Sequence, residues 1–404
     1  MKLIGPFSQI LTLDKIDLKG SLKDDALEVV ENAGVLIHNG EILKVDNFRK
    51  LQKEFSNIEI EEITQNKVLL PGFVDCHTHT CFAGTRAMDF AERNAGSSYL
   101  EIAQKGGGIW STVTQTRNAS DEDLVRLIEN RVDYFLKNGI TTIEIKTGYG
   151  LSVEQEIRLL NIINVLETKA TVVSTCLAAH VNPRDFSGSG SDYLGHLIEK
   201  LLPKIKKLTN RIDIFTEKSA FELEESVIYL QKAIELGFKI TVHADQFTAG
   251  SSQMAVKLGA LSADHLEASN EKDIKILSQS ETVAVALPGA SIGLGESFAP
   301  ARKLLDSGAC LAIASDFNPG SAPMGDLLTL AAILATFQKL SSAEVFSGLT
   351  FRAAKALDLF DRGKIAKGFI ADLQAFPTDD FREILYHQGQ LRPSNVWKIG
   401  DLIL

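Results

Sequence analysis

The stretch that decides the fold is residues 71–90, PGFVDCHTHTCFAGTRAMDF, where a short apolar run leads directly into two histidines and two cysteines. A short run of this kind predicts a buried β-strand. Side chains alternate between the faces of a strand, so His77 and His79 share one face while Cys76 takes the other. This alternation favours a site that uses both histidines over a closed Cys₂His₂ zinc site, which would leave no position for water.

Seven further apolar, β-branched stretches follow along the chain and alternate with segments of helical character. Ser120 and Ser152 stand where helix N-caps are expected, each just before an amphipathic segment. Near-continuous apolar strands separated by helices predict a parallel sheet that is buried on both faces. Eight strand–helix units over roughly 280 residues predict an α/β fold with a (β/α)₈ TIM-like barrel. The predicted strands lie within residues 72–80, 140–148, 170–180, 211–218, 238–245, 260–265, 282–290 and 310–316.

Both ends of the chain contain short strand-like stretches and lack the alternation of strands with helices. The sequence HNGEI at residues 38–42 is typical of a β-hairpin turn. We therefore predict a small β-sandwich domain built from both chain termini. The expected limits are residues 1–66 for its N-terminal part, 67–355 for the barrel and 356–404 for its C-terminal part.

Composition and charge restrict the class of protein. The 404 residues are 45% hydrophobic, and a formal net charge of −10 argues against nucleic acid as a partner. No apolar run approaches the ~20 residues of a membrane span, and the first residues lack the pattern of a signal peptide. Four cysteines are too few for a disulfide framework in a chain of this size. We expect a cytoplasmic protein with reduced, mostly buried thiols and no membrane partner.

Polar residues follow several predicted strands at the same end. His243 comes at the end of the fifth strand, His265 at the end of the sixth and Asp316 at the end of the eighth. Active sites of (β/α)₈ barrels lie at the carboxyl ends of the strands. Buried charges and imidazoles need partners, and one divalent ion would satisfy several of them together. Histidines combined with one carboxylate suit Zn²⁺ or Fe²⁺ better than Ca²⁺ or Mg²⁺.

This pattern resembles the amidohydrolase superfamily of metal-dependent hydrolases, across the barrel and both chain ends. Several long segments narrow the resemblance: residues 77–117, EIKTGYGL (144–151), HADQF (243–247), SADHLE (262–267), LPGA (287–290), FAPARKLLDSG (298–308) and SDFNPGSAP (315–323). Within the superfamily, these segments are similar to the imidazolonepropionase family. The resemblance implies hydrolysis of the cyclic amide of 4-imidazolone-5-propanoate to N-formimidoyl-L-glutamate in histidine degradation. It also implies a homodimer with one divalent metal per subunit, Zn²⁺ or Fe²⁺/Fe³⁺.

The resemblance also implies a role for individual residues. The implied metal ligands are His77, His79, His243 and Asp316. Asp316 would move the proton of the attacking water, and His265 would stabilise the developing oxyanion. The implied substrate-binding residues are Arg86, Tyr149, His180, Gln246, Asn318, Gly320 and Ser321.

Some positions leave alternatives open. Arg86 is expected to bind the propionate carboxylate, but it could instead pair with Asp89 or Glu92. Some family members carry Glu where this chain has Gln246, and an amide can bind the ring but cannot act as a base. Lys218 follows the fourth strand, where a carboxylated lysine bridges two metals in binuclear members of the superfamily; we expect a mononuclear site.

Two other functions compete with this interpretation. One is an aminohydrolase or deaminase of the same superfamily that acts on a nucleobase-like ring, which would have no use for Arg86. The other is a non-catalytic barrel scaffold, which is disfavoured because all the ligand-type residues are present.

Overall fold

The computed structural model describes residues 1–97, 101–102 and 105–404, and its strands form two sheets. The terminal sheet contains β1 (Lys2–Leu11), β2 (Val29–His38), β3 (Glu41–Asn47), β4 (Glu59–Glu62), β5 (Val68–Pro71), β14 (Leu373–Phe376), β15 (Asn395–Lys398) and β16 (Asp401–Leu402). The barrel sheet contains β6 (Phe73–Asp75), β7 (Ile140–Lys146), β8 (Thr171–Ala179), β9 (Arg211–Ile214), β10 (Lys239–Ala244), β11 (Ser262–His265), β12 (Val283–Ala286) and β13 (Leu311–Ile313).

The barrel strands pair in chain order, and each strand is parallel to its neighbour. The ring closes between the first and last strands through a parallel bridge of Thr78 and Phe317. At this seam the backbone N–H of Asp316 donates to the carbonyl oxygen of His77 at 3.1 Å, and that of His79 donates to Phe317 at 2.8 Å. The predicted TIM-like barrel is confirmed, and the small β-domain predicted from both chain termini is present as a separate sheet of eight strands.

Helices surround the barrel and connect its strands. Where sequence signals marked a helix start, the structure follows them, since the hydroxyls of Ser120 and Ser152 each accept a backbone N–H at a helix N-terminus. The α-helices with described bounds are α1 (Phe48–Glu54), α2 (Ala87–Asn94), α3 (Ile109–Asn118), α4 (Asp121–Lys137), α5 (Val153–Asn164), α6 (Gly190–Lys200), α7 (Leu202–Ile205), α8 (Leu223–Glu235), α9 (Ser251–Lys257), α10 (Glu271–Ser278), α11 (Pro288–Leu294), α12 (Ala301–Asp306), α13 (Leu327–Gln338), α14 (Ser342–Gly348), α15 (Phe351–Ala356) and α16 (Arg382–Tyr386).

The terminal sheet joins the first and last parts of the chain. Its strand order is β16-β15-β14-β5-β1-β2-β3, and β4 pairs with the first residues of β1. The predicted hairpin lies between β2 and β3, where Asn39 and Gly40 both have left-handed backbone angles, with φ of 53° and 81°. That pair of angles is what a tight two-residue hairpin turn requires.

The chain passes from the terminal sheet into the barrel at Gly72, between β5 and β6. A side chain there would lie 2.3 Å from the hydroxyl of Thr141, so only glycine allows the two segments to approach this closely. The predicted domain limits at residues 66 and 355 stay a prediction.

All four cysteines are buried, as expected. Cys76 belongs to a buried apolar cluster that includes Val74 and Val285. In the described ranges, no helix is both long and apolar enough to cross a membrane.

Candidate active site

Histidines from the first and fifth barrel strands meet at the carboxyl end of the barrel. His77 and His79 follow the end of β6, and both imidazoles are buried. The Nε2 atom of His79 lies 3.2 Å from Nε2 of His243 on β10. Residues that are far apart in sequence thus place imidazole nitrogens at one point.

Asp316 brings a carboxylate to the same point. Its Oδ1 lies 3.5 Å from Nε2 of His77 and 3.4 Å from Nε2 of His79. The donor atoms of His77, His79 and His243 lie within 4.8 Å of one another, and so do those of His77, His265 and Asp316. Asp316 has a left-handed backbone with φ of 54°, and such strained conformations are concentrated at functional sites.

Two of these donor atoms lack a hydrogen-bond partner. Nε2 of His77 and Oδ1 of Asp316 are buried without one in the part of the chain that the structure describes. Leaving buried polar atoms unpaired is costly, and a divalent cation between them would remove that cost. Nitrogen donors combined with one carboxylate oxygen are a ligand set for a transition metal such as zinc or iron. The residues therefore fit a divalent metal.

Carboxylates contact the Nδ1 atoms of two of these imidazoles, on the side opposite the metal donor atoms. Nδ1 of His77 lies 2.7 Å from Oδ2 of Asp264, and Nδ1 of His243 lies 2.9 Å from Oδ2 of Asp213. A carboxylate on Nδ1 favours a proton there and leaves the Nε2 lone pair free for a metal. Burial is the main cause that lowers the pKa of His79 and of His243 to about 3. Both imidazoles are therefore neutral near pH 7.

His265 lies beside this donor set, and a nearby carboxylate raises its pKa. Its ring centroid is 5.8 Å from that of His77, and its Nδ1 lies 3.5 Å from Oε1 of Glu267. Burial alone would lower the pKa of His265, but the negative charge of Glu267 and then that of Asp316 raise it above its ordinary value. His265 is thus the imidazole of the group that most readily carries a proton.

A cavity of about 510 Å³ opens above the donor set. Its wall includes His79, His243, His265 and Asp316, whereas His77 is fully buried and does not line it. The cavity also brings together every residue predicted to bind substrate. These residues are Arg86, Tyr149, His180, Gln246, Asn318, Gly320 and Ser321.

Arg86 forms one of the arrangements considered from the sequence, the pair with Asp89. Its Nε lies 2.7 Å from Oδ2 of Asp89, which also accepts the backbone N–H of Gly108. Its Nη1 lies so near Gly320 that a side chain there would come within 2.4 Å. Among the described residues, no carboxylate accepts a hydrogen bond from the terminal guanidinium nitrogens of Arg86, and Arg86 lines the cavity.

The loop of residues 147–151, called the Tyr149 loop below, is hydrogen-bonded to a buried carboxylate that was not predicted from the sequence. Glu156, in α5, accepts backbone N–H groups from Gly148 at 3.1 Å, Gly150 at 2.8 Å and Leu151 at 2.7 Å. The carbonyl of Gly148 in turn contacts Nδ1 of His180 at 3.1 Å. Two cavity residues, Tyr149 and His180, are therefore positioned by one buried carboxylate.

The segment after Asp316 is a tight turn that fixes the orientation of that carboxylate. The side-chain nitrogen Nδ2 of Asn318 donates to Oδ2 of Asp316 at 3.0 Å. Oδ1 of Asp316 therefore remains directed at the imidazoles. The side-chain oxygen of Asn318 accepts the backbone N–H groups of Gly320 and Ser321, both at 2.8 Å. The Asn318 side chain is thus engaged within the turn.

The loop that carries Gln246 is also fixed by buried acids. Glu217 accepts the backbone N–H groups of Phe247 and Thr248, both at 3.0 Å. Asp245 accepts hydrogen bonds from residues at the start of α9, including the N–H of Ser252 at 3.0 Å. These contacts present Gln246 to the cavity.

Two charged residues that were not predicted from the sequence also line the cavity, whereas Lys218 does not. Arg93 lines the cavity and donates from Nη2 to the carbonyl of Gly293 at 2.9 Å. Glu296 lines the cavity as well. Lys218 is exposed and does not line it.

A family comparison agrees with this architecture. The sequence model described as the amidohydrolase family matches residues 68–398. An adenosine deaminase from Xanthomonas campestris, solved with bound zinc, is similar in structure, with a TM-score of 0.72 at 18% identity. The match covers 100% of this chain and 92% of the deaminase chain. At that identity the likeness concerns the fold alone. The chain belongs to the amidohydrolase family.

Relatives define its place within that family more narrowly. The chain is 40% identical to an imidazolonepropionase of Bdellovibrio bacteriovorus, over 99% of this chain and 96% of the relative. It is 38% identical to an imidazolonepropionase of Bacillus cytotoxicus, with the same coverage. Among amidohydrolases, the chain is a member of the imidazolonepropionase family.

Proposed function

We propose that this protein hydrolyses the cyclic amide of 4-imidazolone-5-propanoate to N-formimidoyl-L-glutamate, a step of histidine degradation. Water adds its oxygen to the ring carbonyl carbon, the bond from that carbon to the ring nitrogen breaks, and the nitrogen takes up a proton. Membership of the imidazolonepropionase family supports this reaction.

The observation that carries the proposal is the combination of groups in one cavity. A donor set that fits a divalent metal lies at its floor, and Arg86 is part of its wall. A guanidinium can bind a carboxylate through two parallel hydrogen bonds. The substrate has the two matching parts, a cyclic amide to be hydrolysed and a propionate tail.

His77, His79, His243 and Asp316 would hold the metal. When bound, a divalent ion supplies a nucleophilic hydroxide at neutral pH and an electrophile for the carbonyl oxygen. Burial, as the main cause, raises the pKa of Asp316 above its ordinary value, which suits a carboxylate that must accept a proton. We assign to Asp316 the transfer of the proton from the attacking water to the departing ring nitrogen.

His265 would stabilise the negative charge that develops on the carbonyl oxygen. The acidic neighbour Glu267, 3.5 Å away, favours the protonated imidazole that this role needs. Gln246 would bind the ring by hydrogen bonds, since an amide cannot accept a proton as a base at neutral pH.

The remaining cavity residues would orient the substrate. Burial lowers the pKa of His180 to about 3 and raises the pKa of Tyr149, so both side chains are neutral hydrogen-bonding groups. Asn318, Gly320 and Ser321 form the turn that faces them across the cavity wall. Such positioning contributes to catalysis by holding the amide in reach of the nucleophile.

We further propose one metal per subunit, Zn²⁺ or Fe²⁺/Fe³⁺, a cytoplasmic location and a homodimer. The ligand types support the choice of metals, and the family resemblance supports the rest. Metal analysis of the purified protein and its mass in solution by light scattering test the first and last of these.

The decisive experiment is incubation with 4-imidazolone-5-propanoate while the ring absorbance is followed. We expect the absorbance to fall, and a chelator to abolish the fall until metal is added back. A metal-loaded, folded protein that leaves the substrate unchanged would overturn the proposed reaction.

Arg86→Ala distinguishes this reaction from deamination of an uncharged ring. Losing a hydrogen bond to a charged group costs about 1.5–3 kcal/mol, so kcat/KM should fall about 10- to 100-fold. Arg126→Ala, which removes an exposed arginine from α4, is the matched control and should have no effect. Unchanged kcat/KM in Arg86→Ala would contradict the assigned carboxylate contact.

A further inference from the structure

A buried lysine lies among the carboxylates below the metal donor set. Lys146 ends β7, and its Nζ is 2.8 Å from Oε2 of Glu144, 2.8 Å from Oδ2 of Asp213 and 3.9 Å from Oδ2 of Asp264. The exposed fraction of each of these four side chains is at most 1%. The carboxylates come from three different barrel strands, so the lysine joins β7, β9 and β11.

Two of these carboxylates are the ones that hold imidazoles. Asp264 contacts Nδ1 of His77, and Asp213 contacts Nδ1 of His243. One ammonium group therefore lies next to both acids that determine how His77 and His243 are oriented. The reaction proposed above gives Lys146 no task, because it does not line the cavity.

The charges explain why a lysine is needed at this position. Carboxylates that are removed from water are strongly destabilising unless a counter-charge lies close to them. Burial alone would lower the pKa of Lys146, but Asp213, Glu144 and Asp264 together raise it above its ordinary value. Arg211 adds a second, more distant cation, with its Nη2 3.8 Å from Glu144.

We propose that Lys146 is a positioning residue of the metal site. By fixing the carboxylates of Asp213 and Asp264, it holds the Nδ1 sides of His243 and His77 so that their Nε2 atoms face one point. The inference rests on the proposed metal site. It concerns affinity for the metal, because a misdirected imidazole binds less tightly, and outer partners of metal ligands typically contribute 10- to 100-fold.

The test compares Lys146→Met with Lys398→Met. Lys398 is a buried lysine of the terminal sheet that pairs with Asp372, so its loss also breaks a buried ion pair, but far from the donor set. We expect both variants to lose stability. Only Lys146→Met should also lose affinity for Zn²⁺, by about 10- to 100-fold in competition with a chelator.

A second variant guards against a failure to fold. Lys146→Met/Glu144→Gln removes one cation and one anion together, so the net buried charge is the same as in the wild type while Asp213 and Asp264 lose their shared partner. It should fold and still show the weakened zinc affinity, and Lys146→Arg should recover part of it.

Each outcome decides the matter. Wild-type zinc affinity in folded Lys146→Met, or in Lys146→Met/Glu144→Gln if only that variant folds, would overturn the inference. If neither folds, it is overturned as well, because the lysine would then be a requirement of the fold itself. A wild-type protein that binds no metal would instead overturn the proposed function.

Discussion

Glu267 controls the charge of His265, and the pH dependence of catalysis should reveal it. The carboxylate raises the pKa of His265, so the protonated form persists to higher pH and is lost as pH rises through that pKa. In Glu267→Gln the pKa should fall, and the alkaline limb of kcat/KM should move to lower pH. Glu271→Gln, on the exposed start of α10, should leave the limb in place. An unmoved limb in Glu267→Gln would exclude His265 as the protonated group.

Single residues also mark the limit of what the sequence could predict. Strand alternation placed His77 and His79 on one face, because a regular strand sends every second side chain to the same face, and its place at the end of a strand singled out His243. It did not identify Asp264, which precedes His265 and should point away from it. The φ of 86° at His265 breaks the regular strand, so both side chains reach the site. A backbone angle of that kind has no signature in the sequence.

At the scale of elements, α5 supports the catalytic end of the barrel through Glu156. Replacing Glu156 with Gln would put an NH₂ donor in place of one carboxylate oxygen, opposite at least one of the three backbone N–H donors of the Tyr149 loop. We expect a loss of about 1–3 kcal/mol in the free energy of unfolding and a raised KM, since Tyr149 and His180 lose their support. Denaturant unfolding and steady-state kinetics measure the two effects.

The neighbouring exposed residue Glu154 provides the control for that experiment. Glu154→Gln lies on the outer face of the same helix and should change neither quantity. A normal KM in a destabilised Glu156→Gln protein would separate loop support from substrate binding and contradict the expectation.

Elements with capping residues were predictable, and those without them were not. The helices α4 and α5 begin behind Ser120 and Ser152, whose hydroxyls cap them. The helices α2 and α3, between residues 80 and 120, were not predicted. The N-cap residue of α2 is Arg86, whose side chain makes no capping hydrogen bond, and that of α3 is Gly108, which has no side chain. Without a start signal, a short helix cannot be distinguished from a loop by sequence pattern.

At the scale of the whole molecule, the metal should stabilise the fold. A ligand that binds only the native state adds about 2.7 kcal/mol at a free concentration of 100 times its Kd. Thermal melting should therefore show a higher Tm with Zn²⁺ than after chelation. Mg²⁺ at the same concentration should restore little, because it prefers oxygen ligands. Equal Tm values with and without Zn²⁺ would contradict a metal bound at the buried donor set.

The whole-molecule fold was predictable because its signal repeats. Eight apolar stretches that alternate with helices admit few other arrangements. The buried ion pairs were harder to predict, because a charged residue inside an apolar strand, such as Lys146 or Asp213, gives no indication of its partner. Those partners come from strands whose neighbourhood is set only when the barrel closes.

The seam between the first and last barrel strands has a consequence for how the protein is made. The hydrogen bonds from Asp316 to His77 and from His79 to Phe317 join segments that leave the ribosome some 240 residues apart. A chain cut short before Asp316 has neither a closed ring nor a complete donor set. Chains truncated before Asp316 are therefore expected to be inactive. The activity measured in a cell extract then reports only molecules whose synthesis has passed Asp316.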